Sequence, residues 1–389
     1  MVTPQALLVS AYDAVSHRYW RDGVTDWNQH LAWRVITLPP RHYAWRVRGN
    51  ALSLRDAQYA PDLRADYALV VVTSMVDLSG VLAAWPRLHR AGIVMYFHEN
   101  QFAYPSRDPH DADIALTSIK NALSADHIVF NSAFNRDSFF TGAASLLDKM
   151  PDAVPAGLLE SLRANANVIP VPLKQTSSTE RRPPPASSNK TRSDERRESP
   201  LVIVWNHRWE HDKAPERLHR ALLALRSKGV AFRLLLLGQQ FRQTPEALNA
   251  IRHEFDKEIE HVGYVENDAD YHDLLSAADV VVSTALHDFQ GLAVMDAVEH
   301  GCVPVLPDRL AYPEWFGAEY LYESFQQNPE REVVALTRQL ERASQLKRSG
   351  QLIAPDLSAL RWSHLGPRYE AVFSAAQEAA GRRVQAAQC

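Results

Sequence analysis

Eight short apolar runs constrain this 389-residue chain more than any other feature: residues 7–10, 68–73, 93–97 and 127–131, then 201–205, 232–237, 280–283 and 303–306. Each ends in polar or turn-forming residues and is separated from the next by a longer amphipathic stretch. Continuous apolar runs of that length suit strands buried on both faces, and such strands alternating with helices build a mainly parallel sheet covered by helices. The two sets of four, at this chain length, predict an α/β protein of two doubly wound domains. Between them, residues 175–199 consist almost wholly of Ser, Pro, Thr, Arg, Glu, Asn and Lys and include Pro183, Pro184 and Pro185. Such a stretch buries too little apolar surface to offset its ordering entropy, which predicts a disordered linker or insertion. The expected domains are therefore 1–174 and 200–366, with the alanine-rich stretch 367–389 forming a final helix.

A net charge of −4 argues against a surface coated with cations for nonspecific nucleic-acid binding, although a local patch is compatible with it. No apolar run approaches the length that crosses a bilayer, and no basic leader with a cleavage site opens the chain. The two cysteines, Cys302 and Cys389, suit a reducing compartment and cannot make a thiolate cluster. The expectation is a cytoplasmic protein without a membrane segment. The sequence leaves the oligomeric state open. Walker, GxGxxG, HExxH and GxSxG signatures are absent, and Asp111-Ala112-Asp113 suits a helix cap better than a metal-binding acid pair.

In open α/β sheets ligands sit beyond the carboxyl ends of strands. Arg208 and Lys213 follow the run 201–205, where cations and free helix amides suit a diphosphate. Asp288 and Asp296 flank Gly291; a helix starting near that glycine would let both acids reach hydroxyls of one extended ligand, with Phe289, Gln290, Gly291 and Leu292 alongside. Together they read as a nucleotide-sugar site. In the first half, His98, Glu99, Asn100 and Gln101 follow the run 93–97 and resemble a cleft lining, while Ser16, His17 and Ser132 occupy similar strand-end positions. Residues 33–55 hold Arg34, Arg41, Arg46, Arg48 and Arg55 among Trp33, His42, Tyr43 and Trp45, with no acidic residue between Asp26 and Asp56. Cations interleaved with flat rings suit single-stranded or looped RNA; an exposed loop anchored by aromatics is the structural alternative.

The Arg-x4-Lys element, the acids about Gly291, and Gly263-Tyr264 with Ala277-Ala278-Asp279 resemble the nucleotide-binding half of family 4 glycosyltransferases of GT-B fold. The segments YFHENQFAYP (96–105), VFNSAFN (129–135), WNHRWEHDK (205–213), ADVVVSTALHDFQG (278–291) and AYPEWFGAEYLY (311–322) are similar to the tRNA-queuosine alpha-mannosyltransferase family. The resemblance implies two Rossmann-like domains facing each other across a cleft, a GDP-mannose donor, queuosine in the anticodon loop of tRNA-Asp as acceptor, and retention of anomeric configuration without a metal or other cofactor. It also implies that Arg208 and Lys213 hold the diphosphate, Asp288 the sugar, Asp296 the ribose, and that His98 lies near the transferred sugar. The family pattern has glutamate at both acidic positions, so each aspartate is shorter by roughly 1.5 Å. Phe289 and Gln290 stand where a Gly-Phe pair is common, and Asp13-Ala14-Val15 where glycines are common. Alternatives are the same donor half serving another sugar nucleotide, a lipid or a small-molecule acceptor, and an RNA-binding module without catalysis.

Overall fold

The computed structural model describes residues 5–103, 111–174, 197–240 and 244–386. The expected linker at 175–199 lies outside these residues except for its last three positions, and Cys389 lies outside them too. The chain divides into two compact units, Met1–Lys174 with Ala359–Cys389, and Gln175–Ser358.

The first unit is a six-stranded sheet of β1 (Gln5–Ser10), β2 (Ala32–Thr37), β3 (Leu69–Thr73), β4 (Gly92–Phe97), β5 (His127–Phe130) and β6 (Ala166–Val168), in the order β2-β1-β3-β4-β5-β6. The second comprises β7 (Leu201–Asn206), β8 (Phe232–Leu237), β9 (Ile259–Gly263), β10 (Val280–Val282), β11 (Val303–Pro307) and β12 (Leu321–Tyr322), in the order β12-β11-β10-β7-β8-β9. Every pairing in both sheets is parallel. The strand order reverses beside β1 in one sheet and beside β7 in the other, and the crevice at such a reversal is where doubly wound sheets hold ligands. The loops leaving β7 and β10 begin the segments that hold Arg208, Lys213, Asp288 and Asp296.

All eight apolar runs are strands. β3 and β4 are buried along their whole lengths, and Phe97, Phe130 and Phe139 close the first core ring against ring. In the second unit Trp205, Trp209 and Phe255 are fully buried.

The final helix departs from the expected one. It runs Trp362–Ala386, starts five residues ahead of Pro367, and belongs to the first unit rather than standing apart. Aromatic contacts hold it there: Trp20 Nε1 donates to Tyr369 Oη at 3.0 Å, and Tyr369 Oη donates to Pro170 O at 3.1 Å. Gly92 permits the close approach, because a Cβ there would meet the Ala376 carbonyl carbon at 2.4 Å. Residues 359–366, expected in the second domain, also lie in the first unit.

One buried ionic network shapes the second unit. Glu332, on the helix Pro329–Ser349, pairs with Arg217 and with Arg309, the latter at 2.6 Å. Burial would raise the Glu332 pKa, but its hydrogen bonds to the two arginines prevail and hold it below the usual glutamate value. Arg309 also donates to Ala285 O at 2.8 Å and Thr284 O at 3.1 Å, fixing the loop that leaves β10. Among the described residues no helix is long and apolar enough to cross a membrane.

Candidate active site

The loop leaving β7 passes over Gly238, where a Cβ would fall 1.8 Å from His207 O; φ there is +128°, so glycine serves both the approach and the backbone conformation. A short 3-10 turn, His211–Lys213, follows, and Ala214 takes a left-handed conformation (φ 45°) before the helix Pro215–Ser227. This turn buries Lys213. Its Nζ donates to His287 O at 2.5 Å and lies 3.1 Å from Asp212 Oδ2 and 3.9 Å from Asp288 Oδ2. Thr284 Oγ1 donates to Lys213 O at 2.6 Å, tying the loops of β7 and β10 together. Arg208 is exposed and pairs with Glu210 at 3.0 Å.

Gly291 caps the helix Leu292–Glu299 at φ 83° and has no side chain to bond its first-turn amides. Asp288 lies in the preceding loop. Its Oδ1 accepts from Gly291 N at 2.9 Å, and its Oδ2 accepts from Tyr312 Oη at 3.3 Å. Burial would raise the Asp288 pKa, but Lys213 and His207, with the Gln290 amide, prevail and keep it below the ordinary carboxylate value. The carboxylate thus helps to fix its own loop. Phe289 and Gln290 are buried, with Phe289 edge-on to His287, whereas Leu292 is half-buried in the first turn. Glycine at 291 has conformational and steric reasons: φ is positive, and a Cβ would lie 2.7 Å from Tyr312 Cε1. Gly291→Ala is therefore expected to lower donor turnover at least tenfold while leaving far-UV circular dichroism unchanged, because a left-handed alanine costs about 1–2 kcal/mol and Tyr312 must also move. Normal turnover would show that this loop is not part of the site.

His207 was not singled out as a site residue, although its motif was. It is buried edge-on to Trp205. Burial first, and then the charge of Lys213, pulls its pKa down to about 3. Above pH 6.5 the ring is neutral in both folded and unfolded chains. Below that the unfolded chain takes a proton that the native ring refuses, so stability falls by about 1.4 kcal/mol per pH unit until the pH nears 3. From pH 7 to pH 5 this group should contribute a loss of about 2 kcal/mol. Urea unfolding of His207→Gln should show a correspondingly smaller drop; an equal drop would place the acid lability elsewhere.

Asp296 sits on the helix Leu292–Glu299, half-buried. Burial raises its pKa, against the opposing influence of His300 and His272. The adjoining Tyr271 hydroxyl accepts from Asn206 Nδ2 at 2.6 Å, and burial raises its pKa.

In the first unit, His98 and His17 are both buried and stack at 4.1 Å with an interplanar angle of 16°. Burial lowers both pKa values, and for His98 the neighbouring His17 lowers it further, so both rings are neutral at pH 7. His98 Nε2 has no hydrogen-bond partner among the described residues. Asn100 and Ser132 hold the fold: Asn100 Nδ2 donates to Asn135 O and Ser138 Oγ, its Oδ1 accepts from the amides of Phe102 and Ala103, and Ser132 Oγ accepts from Asn135 N. Both side chains belong to this internal lattice. Glu99 is half-buried and Ser16 exposed. Gln101 Nε2 donates to Tyr43 Oη at 3.1 Å, joining the loop after β4 to the arginine and aromatic segment.

That segment divides. Arg46, expected to meet an acceptor, is buried and donates to Pro39 O at 3.2 Å, and Arg34 lies 3.9 Å from Asp62. Arg41, Arg48 and Arg55 are exposed, as are Tyr43 (42 %) and Trp45 (51 %). Helical periodicity turns Arg46 inward while Trp45 and Arg48, three positions apart, share the open face.

A glycine-started helix beside a buried lysine, in the second of two Rossmann-like units that each hold an all-parallel sheet, is the arrangement found here, and the fold is that of GT-B glycosyltransferases. Residues 200–341 match the family model of group 1 glycosyl transferases. The fold is shared with a UDP-forming alpha,alpha-trehalose-phosphate synthase from Burkholderia xenovorans (TM-score 0.61, 13 % identity, covering 95 % of this chain and 98 % of that one). It is also shared with a glycosyltransferase from Rickettsia africae (TM-score 0.58, 12 % identity, 97 % and 99 % covered). Residues 5–173 match the model described as tRNA-queuosine alpha-mannosyltransferase N-terminal. The tRNA-queuosine alpha-mannosyltransferase of Drosophila melanogaster is 29 % identical over 324 residues, 82 % of this chain and 84 % of that protein. The first half of the chain thus resembles the tRNA-queuosine alpha-mannosyltransferases, and the second half the group 1 glycosyl transferases.

Proposed function

We propose that this glycosyltransferase moves mannose from GDP-mannose to queuosine in the anticodon loop of tRNA-Asp, with retention of anomeric configuration. The observation that carries the reading is Lys213, buried 3.9 Å from Asp288 beside the uncapped start of the helix Leu292–Glu299, in a chain whose first half matches the queuosine family. Lys213, the helix amides and Arg208 take the charge that grows on the departing diphosphate, with the protein's own cations in place of a metal. Asp296 holds the ribose and Asp288 keeps the loop and the sugar in register. His98 presents a neutral imidazole to a hydroxyl. Retention follows from front-face attack, in which the leaving phosphate takes the acceptor's proton. The acceptor-side face is Trp45 and Arg48 with Arg41, Tyr43 and Arg55, where cations meet phosphates and rings meet unstacked bases.

Incubation of the protein with a panel of sugar nucleotides and bulk tRNA, followed by nucleoside mass analysis, tests this directly. A hexose adduct on queuosine from GDP-mannose alone, undiminished by EDTA, is the expected result. A product only with another donor replaces the sugar, and a product only with lipid or a small molecule replaces the acceptor. Dependence on added magnesium or manganese would overturn the metal-free mechanism, and tRNA binding without any donor turnover would leave a binding module.

A further inference from the structure

We propose that His272, Asp296 and His300 form a binding site for a divalent transition metal of the zinc kind. One donor atom from each residue lies within 4.8 Å of the others, and the two imidazoles stack at 4.4 Å with an interplanar angle of 21°. His272 comes from the helix Asp268–Ala277, and the other two lie one turn apart at the end of the helix Leu292–Glu299.

The hydrogen bonding of His300 carries the argument. Its side chain is 2 % exposed, and its Nδ1 lies 2.8 Å from the backbone carbonyl of Asp296 and 3.5 Å from that residue's Oδ1. A carbonyl only accepts, so the proton sits on Nδ1, and Nε2 of the neutral ring carries a lone pair. That Nε2 is buried and has no partner among the described residues. An unsatisfied buried acceptor is unfavourable, and a metal ion would satisfy it. Metal-bound histidines commonly donate their other N–H to a backbone carbonyl, which fixes tautomer and ring orientation. Asp296 supplies a carboxylate that is 37 % exposed, leaving a route from solvent. A surface Asp-His pair one helical turn apart is the ordinary alternative, but such a pair leaves its ring nitrogen to water rather than burying it.

Two imidazoles and one carboxylate suit zinc and its neighbours in the transition series rather than magnesium. Tetrahedral zinc with ligands at about 2.0–2.2 Å needs donor atoms roughly 3.3 Å apart, so the three side chains must close in on the ion. The bound metal would clamp the two helices and occupy the carboxylate that the proposed function gives to the ribose, so zinc and the sugar nucleotide should compete.

Calorimetric titration of the full chain with zinc chloride is expected to show one high-affinity site, with His272→Gln and His300→Gln each weakening it at least tenfold and magnesium failing to displace it. Cobalt(II) bound to the unaltered protein should give the intense visible absorption of a tetrahedral site without a thiolate charge-transfer band, a reading that does not depend on how the variants fold. No zinc uptake, uptake unchanged in both variants, or a thiolate band would overturn the proposal. These binding readouts are independent of mannosyl transfer, so the metal site stands or falls whatever the donor proves to be.

Discussion

Lys213→Ala is expected to lower turnover at least a hundredfold, the largest catalytic effect of any single substitution in this chain. The lysine is buried, its Nζ donates to His287 O, and it offsets the charges of Asp212 and Asp288. Such a cation lies in a low-dielectric setting, where its interaction with a departing diphosphate is far stronger than in water. Its removal forfeits that interaction in the transition state and leaves Asp288 without its closest cation. A hundredfold loss corresponds to about 2.7 kcal/mol, within the range of one such contact. Arg208 is exposed and already paired with Glu210, so Arg208→Ala should lose less. Single-turnover kinetics with saturating donor check both. Near-normal rates in Lys213→Ala would remove the diphosphate assignment.

The second large effect concerns the acceptor. The double variant Trp45→Ala, Arg48→Glu should raise the apparent KM for tRNA at least tenfold and flatten its dependence on salt, each lost phosphate contact removing roughly 0.7–0.9 from the slope. Trp45 lies over Gly49, whose missing side chain lets the indole rest against the helix, so half of the indole is open and already ordered for stacking. Donor hydrolysis without tRNA should hardly change. Equal loss of both reactions would make this helix structural, and loss of neither would place RNA elsewhere. Arg46→Glu is a different experiment: a reversed charge beside Pro39 O is expected to destabilise the first unit itself.

The buried strands were legible because each is a short, continuous apolar run. The four that were not read, Ala32–Thr37, Ala166–Val168, Ile259–Gly263 and Leu321–Tyr322, are the four sheet edges. An edge strand has one flank open to solvent and needs no unbroken apolar run; Ala32–Thr37 carries Trp33, Arg34 and Thr37 and has only one buried residue. The segments with Arg208, Lys213, Asp288 and Asp296 drew notice because they follow central strands at the point where strand order reverses. His207 could have been found, lying between Trp205 and Trp209 in a polar stretch after a strand. Tyr312 carried no such signal, since nothing in its spacing from Asp288 says that its hydroxyl and ring will meet Asp288 and Gly291.

The sequence by itself determined the fold class, the division into two sheets and the positions of the polar strand-end loops, because strand burial and strand-end polarity are local properties of the chain. Tertiary structure decided which side chains those loops make available. Asn100 and Ser132 went to an internal hydrogen-bond lattice, Arg46 turned inward while Arg48 turned out, and residues 359–386 returned to the first unit through Tyr369, Trp20 and the bare Gly92. These outcomes depend on partners far away in the chain, and a polar residue at a strand end looks the same in sequence whether its hydrogen bonds go to a ligand or to the protein.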